Sequence, residues 1–139
     1  MSYKNKISAI LLISVILIGL IQINRFFNSI GEFVYLFAIS IGATSFVMFF
    51  SKEDIFNIWK KFTIIYVFVS ILIIIFSPAG DGFIPFGYRD FFSYYLPISL
   101  FTTSIFMTIK YTYKWNLAAI ILLGHVGGMI IWYIIAVIM

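Results

Sequence analysis

The chain has 139 residues, no cysteine, nine lysines and arginines against five acidic residues, and a mean hydropathy of +1.13, with 63% hydrophobic and 10% charged residues. Soluble globular chains carry about 25% charged residues, so the solvent here is lipid, and the missing thiols exclude disulfides, thiolate metal sites and cysteine nucleophiles. The net charge of +4 is spread over short segments that border apolar runs and builds no single basic face, which argues for a bilayer and against nucleic acid as a partner.

Five apolar stretches, each long enough to cross a hydrocarbon layer of ~30 Å as a helix, place spans at about 7–24, 32–50, 60–77, 91–110 and 115–138. The fold class is all-α. A polytopic bundle of five transmembrane helices forms a single integral membrane domain over residues 1–139, with nothing left for a separate soluble domain.

The first span opens with Lys4 and Lys6 before its apolar core, as a secretory signal does. Its exit, Leu20-Ile21-Gln22-Ile23-Asn24-Arg25, offers bulky residues where a cleavage site needs small ones, so an uncleaved helix is expected. The second span starts after Ser29-Ile30-Gly31-Glu32, which fits the S-x-x-E capping box. Within it Ala38 and Gly42 are four apart with Ser45 on the same side, a small-residue face suited to packing and assigned to the fifth span as partner.

Residues 51–61 separate polar from apolar positions at ~100° per residue. Ile55, Phe56, Ile58, Trp59 and Phe62 share one side, and Glu53, Asn57, Lys60 and Lys61 the other. This pattern predicts a short interfacial helix between the second and third spans, capped by Ser51, lying on the leaflet before it bends into span three. Its lysines and aromatics anchor the bundle, with docking of a cytoplasmic partner as the functional alternative.

Pro78 ends the third span. The connection that follows, residues 77–90, has the Gly, Asp and Pro content of turns, and offers Asp81, Arg89 and Asp90 as the alternative ligand contacts. Asp90 caps the fourth span, where an anionic side chain is favoured by the helix dipole. Pro97 should kink that span and release the Ser93 carbonyl.

His125 is the one titratable residue deep in a span, hence a candidate site by default. It sits in Gly124-His125-Val126-Gly127-Gly128, where Gly124 and Gly128 form a G-x-x-x-G pair. Ala118, Gly124, His125, Gly128 and Ala136 fall within an arc of roughly 120°, so the imidazole faces protein. A charge at mid-bilayer costs about 2.5 kcal/mol, so a neutral ring is expected, bonded to mid-depth hydroxyls: Ser99, Thr102 and Thr103 of span four, Thr44 and Ser45 of span two. Structural polar glue is the preferred role, a substrate or proton site the alternative. The three glycines of span five could also divide it into two half-helices. The chain's end at Ile138-Met139, without a polar tail, fits either an incomplete chain or a terminal carboxylate at the outer surface.

All seven lysines fall on one side of the alternating spans, and Arg25 and Arg89 on the other. Lysine and arginine enrichment marks cytoplasmic loops, so the amino terminus is expected inside and the carboxyl terminus outside. Aromatic belts agree, with Phe26, Phe27, Phe86, Tyr88, Phe91, Tyr94 and Tyr95 at the outer ends and Trp59, Tyr111, Tyr113 and Trp115 at the inner ends.

No H-E-x-x-H, G-x-S-x-G, P-loop or intramembrane aspartate pair occurs, so no catalytic residue, metal or cofactor is assigned. The expected function is a noncatalytic packing or interaction subunit that meets itself or a larger membrane protein. An oligomeric channel or small-solute transporter using His125 and the mid-membrane hydroxyls is the alternative. The Ile-, Phe-, Lys- and Asn-rich composition suggests a bacterial cell membrane.

Overall fold

A computed structural model describes residues 2–24, 29–78, 87–110 and 116–138, with side chains at 23, 24, 29, 30 and 110 excepted. Among the described residues there are five α-helices and no strand: α1 (Tyr3–Asn24), α2 (Ser29–Met48), α3 (Glu53–Phe76), α4 (Tyr88–Lys110) and α5 (Leu117–Ile138). Each is long and apolar enough to span a membrane. Arg25, Phe26, Phe27, Asp81, Phe86, Tyr111, Tyr113, Lys114, Trp115 and the Ser29 side chain, singled out from the sequence, lie outside the described residues.

Consecutive helices run antiparallel. α4 is the centre, packing against α2, α3 and α5, while α1 leans on α2. Two apolar clusters hold the bundle. At the end bearing the start of α1, Ile7, Met48, Ile55, Phe56, Trp59, Met107 and Ile120 join all five helices. Towards the other end, Phe33, Phe37, Ile74, Leu96 and Leu100 join α2, α3 and α4. Above the first cluster α1 diverges from α3, leaving an apolar cleft of about 370 Å³ walled by Ile13, Leu17, Val34, Phe37, Ile41 and Ile71.

The segment read as an interfacial helix is helical, but it is the opening of α3 rather than an element of its own. No glycine or proline interrupts residues 53–76, and the buried stripe that starts with Ile55, Phe56 and Trp59 continues through Thr63, Ser70 and Ile74. Its apolar side therefore faces the other helices and not the leaflet. At 1.5 Å per residue the 24 residues of α3 reach about 36 Å, enough for its charged first turns to emerge from the hydrocarbon. Ser51 does not cap it: the Ser51 hydroxyl donates to the Met48 carbonyl at 2.7 Å, and Lys52 occupies the cap position without a side-chain bond. At the far end Ser77 is extended (φ −77°, ψ 136°) because Pro78 follows it.

α4 begins earlier than expected. Asp90 lies in its first turn and reaches back, accepting from the Gly87 amide at 3.3 Å, as the acidic partner of a capping box does. Pro97 sits inside a helix that runs on to Lys110, and its neighbours supply bonds around it. Ser40 of α2 donates to the Pro97 carbonyl at 2.8 Å, and Tyr66 of α3 donates to the Leu96 carbonyl at 3.2 Å.

Nor do the glycines break α5, which is one helix from Leu117 to Ile138. They let it close onto α4. A Cβ on Gly124 would lie 2.5 Å from the Thr103 Cα, and one on Gly128 would lie 2.9 Å from the Ser99 Cα. Both obstacles are backbone and cannot rotate away. The assignment of the Ala38 and Gly42 face to α5 is corrected: a Cβ on Gly42 would meet Ser14 Cβ of α1 at 3.3 Å. α2 lies between α1 and α4, and α4 already fills the α5 seam.

Alanine substitutions should separate these roles by thermal unfolding in detergent. Gly124→Ala and Gly128→Ala should each cost about 1–3 kcal/mol through overpacking, and Gly42→Ala less, because its nearest neighbour, the Ser14 Cβ at 3.3 Å, is only slightly too close. Gly19, with nothing within 4 Å of an added Cβ, should gain up to about 1 kcal/mol from helix propensity.

Candidate functional site

His125 stands one position past Gly124 on α5, so it points out of the glycine seam towards α3. Its Nδ1 lies 2.9 Å from the Ile121 carbonyl and its Nε2 lies 3.4 Å from the Tyr66 hydroxyl. A carbonyl only accepts, so Nδ1 carries the proton and, in the neutral ring, Nε2 presents a lone pair to Tyr66. The single Tyr66 proton then has two acceptors in reach, Nε2 and the Leu96 carbonyl at 3.2 Å. Tyr95 of α4 closes the other side, donating to the His125 backbone carbonyl at 3.4 Å. The imidazole sits between the two phenol rings, at centroid distances of 5.7 Å to Tyr66 and 6.1 Å to Tyr95.

The partners expected for this ring lie elsewhere. Thr102 donates to the Gly124 carbonyl at 2.6 Å, bonding α4 to α5 beside the histidine and not to its ring. Ser99 and Thr103 are fully buried over Gly128 and Gly124, and their hydroxyl oxygens have no conventional hydrogen-bond partner. They face glycine Cα–H groups, where C–H···O contacts are worth at most about 0.5–1 kcal/mol each. Thr44 and Ser45 are turned inwards on α2, donating to the carbonyls of Ser40 at 2.7 Å and Ile41 at 2.6 Å. Ala38 is buried beside the α1 and α3 side of α2. The five hydroxyls thus serve helix contacts and their own helix carbonyls, and the ring draws on phenols instead.

Tyr66 and Tyr95 are the site residues that sequence reading missed. Tyr66 carried a usable signal, since a phenol well inside an apolar span needs a partner for its hydroxyl. Tyr95 gave none, because its position near a span end suits an interfacial belt equally well. A second buried pair also went unread: the Trp59 indole N–H donates to the Ser104 hydroxyl at 3.0 Å, joining α3 to α4 near the lysine-rich end.

Among the described residues no group of three His, Asp or Glu side chains could hold a metal ion. Outside the apolar core, Glu32 accepts from the Tyr94 hydroxyl at 3.3 Å, and the Arg89 guanidinium donates to the Ser77 carbonyl at 3.2 Å, so both are tied to helix ends. Comparison with protein-family models, with curated proteins and with solved structures found no match.

A double-mutant cycle tests whether the ring and the phenol act as a pair. Tyr66→Phe and His125→Leu should be non-additive in unfolding free energy by about 0.6 kcal/mol, the usual size for intramembrane hydrogen bonds. Tyr35→Phe, paired instead with Gln22 at 3.0 Å, should show no coupling to His125→Leu.

Proposed function

We propose that this multi-pass membrane protein is noncatalytic and works by packing, either with a second copy of itself or with a larger membrane partner. What supports the reading is the direction in which its polar side chains point. Thr102, Ser40, Ser104, Trp59 and Tyr66 all bond across helix contacts, so the polar chemistry of the bundle goes into holding the chain together. The apolar sides of α1 and α5, with Leu12, Val15 and Ile16 on one and Leu122, Val126 and Ile130 on the other, are exposed along the span and available to lipid or to another helix. The amino terminus lies in the cytoplasm of a cell whose plasma membrane holds the protein, because the lysine-rich end belongs on the side of synthesis.

A second reading, an oligomeric channel or small-solute transporter, draws on one observation. His125 is a half-buried ionisable group in mid-span, hydrogen-bonded to a phenol of another helix.

Purification of the tagged chain from its native membrane in mild detergent tests the first reading, which expects a second copy or a distinct membrane protein at fixed stoichiometry. A chain that elutes alone, and supports solute flux in liposomes that His125→Leu abolishes, would establish the second instead. For orientation, single cysteines at Lys52 and Tyr88, both exposed and at opposite ends of the bundle, should react with an impermeant maleimide from opposite compartments of intact cells. Equal reactivity would overturn the topology.

A further inference from the structure

We infer that the turn between α2 and α3, with the first turn of α1, binds the headgroup of an anionic glycerophospholipid. The patch is a fixed assembly of three segments. Tyr3 donates its hydroxyl to the Ser51 carbonyl at 3.3 Å and sets its ring 6.3 Å from that of Phe56, which fastens the start of α1 to the turn. The Lys4 ammonium consequently stands 5.4 Å over the Phe49 ring, and Lys52, exposed, follows Ser51 directly.

The ring under Lys4 belongs to an aromatic strip. Phe46, Phe49 and Phe50 meet edge to face, at 5.5 and 5.9 Å between centroids, with Phe46 60% and Phe50 76% exposed. Among the described residues neither ammonium is paired with a carboxylate. Glu53 and Asp54 are nearby and exposed, in the first turn of α3, where the helix dipole favours their charge.

The two halves of the patch ask for one ligand. A soluble anion would pair with the lysines and leave the phenylalanines uncovered, and an apolar helix would cover the phenylalanines and leave the lysines unpaired. A phosphodiester carried on an acyl chain satisfies both, with the phosphate between Lys4 and Lys52 and the chain along Phe46 and Phe50. Charge-assisted hydrogen bonds from both ammonium groups to one phosphate act at contact range, so Lys4 and Lys52 together should give about tenfold in affinity, which more distant lysines at the same end do not share. The inference is independent of whether the protein packs or transports.

The full chain in nanodiscs provides the test, with brominated phosphatidylglycerol or brominated phosphatidylcholine as the probe and quenching of intrinsic fluorescence as the readout at each lipid fraction. Phosphatidylglycerol should be preferred by about tenfold at 0.05 M salt, and by markedly less at 0.5 M. Lys4→Gln/Lys52→Gln should bring the preference to within twofold, whereas Lys6→Gln/Lys61→Gln, equal in charge change and at the same end, should leave it unchanged. Phe50→Ala should weaken binding of phosphatidylglycerol, and 10 mM inorganic phosphate should not displace it. No preference in the unaltered protein would overturn the inference without any variant. An equal fall in both double variants would overturn it too, by showing diffuse charge, and displacement by inorganic phosphate would do so by showing a plain anion site.

Discussion

Inside a bilayer no water is present to bond a freed backbone group, and the architecture depends on the bonds that α4 makes with three other helices. Its interior proline removes one amide donor and disturbs the turn around it. Ser40 of α2 donates to the Pro97 carbonyl and Tyr66 of α3 to the Leu96 carbonyl, while Thr102, further along α4, gives its own proton to the Gly124 carbonyl of α5. Each neighbour that packs on α4 is thereby also bonded to it. Removing α4 would leave α2, α3 and α5 with few contacts among themselves.

Close approach and hydrogen bonding reinforce each other in this arrangement. The Thr102 hydroxyl reaches the Gly124 carbonyl at 2.6 Å only because Gly124 and Gly128 let α5 settle against Thr103 and Ser99 with no side chain between the backbones. The two hydroxyls left without conventional partners, those of Ser99 and Thr103, lie at this same close contact, against Gly128 and Gly124. Small residues here serve packing in place of the hydrophobic effect, which gives no advantage to a helix pair already surrounded by hydrocarbon.

The number of long apolar helices and their alternating direction were legible in the sequence because they follow from composition alone: apolar runs of adequate length separated by charge. Gly124 and Gly128 were legible as a contact for a similar reason, since G-x-x-x-G describes one face of one helix. Partners were not. Gly42 was assigned to α5 and meets Ser14 of α1, and His125 was assigned to hydroxyls and meets Tyr66 and Tyr95. Helix neighbours depend on the order in which five cylinders close around a centre, and no single-helix pattern encodes it. The opening of α3 shows the same limit. Its amphipathic period was read correctly, but a stripe that faces a leaflet and one that faces four helices look identical until the other helices are placed.

The unequal ends of the bundle follow from that closure. At the lysine-rich end, Trp59 and Phe56 fill a buried cluster to which all five helices contribute, and the indole N–H is satisfied by Ser104 inside it. Beyond it, the aliphatic residues that α3 presents, Val67 and Ile71, do not bridge to α1, and the cleft walled by Ile13 and Leu17 opens there. A void of that size in a water-soluble core would cost several kcal/mol, whereas acyl chains entering from the side can fill it at little cost. α1 is held at one end through Ile7 and Tyr3, along α2 through the Ser14 and Gly42 contact, and towards its other end by the Gln22 amide, which donates to the Tyr35 hydroxyl at 3.0 Å.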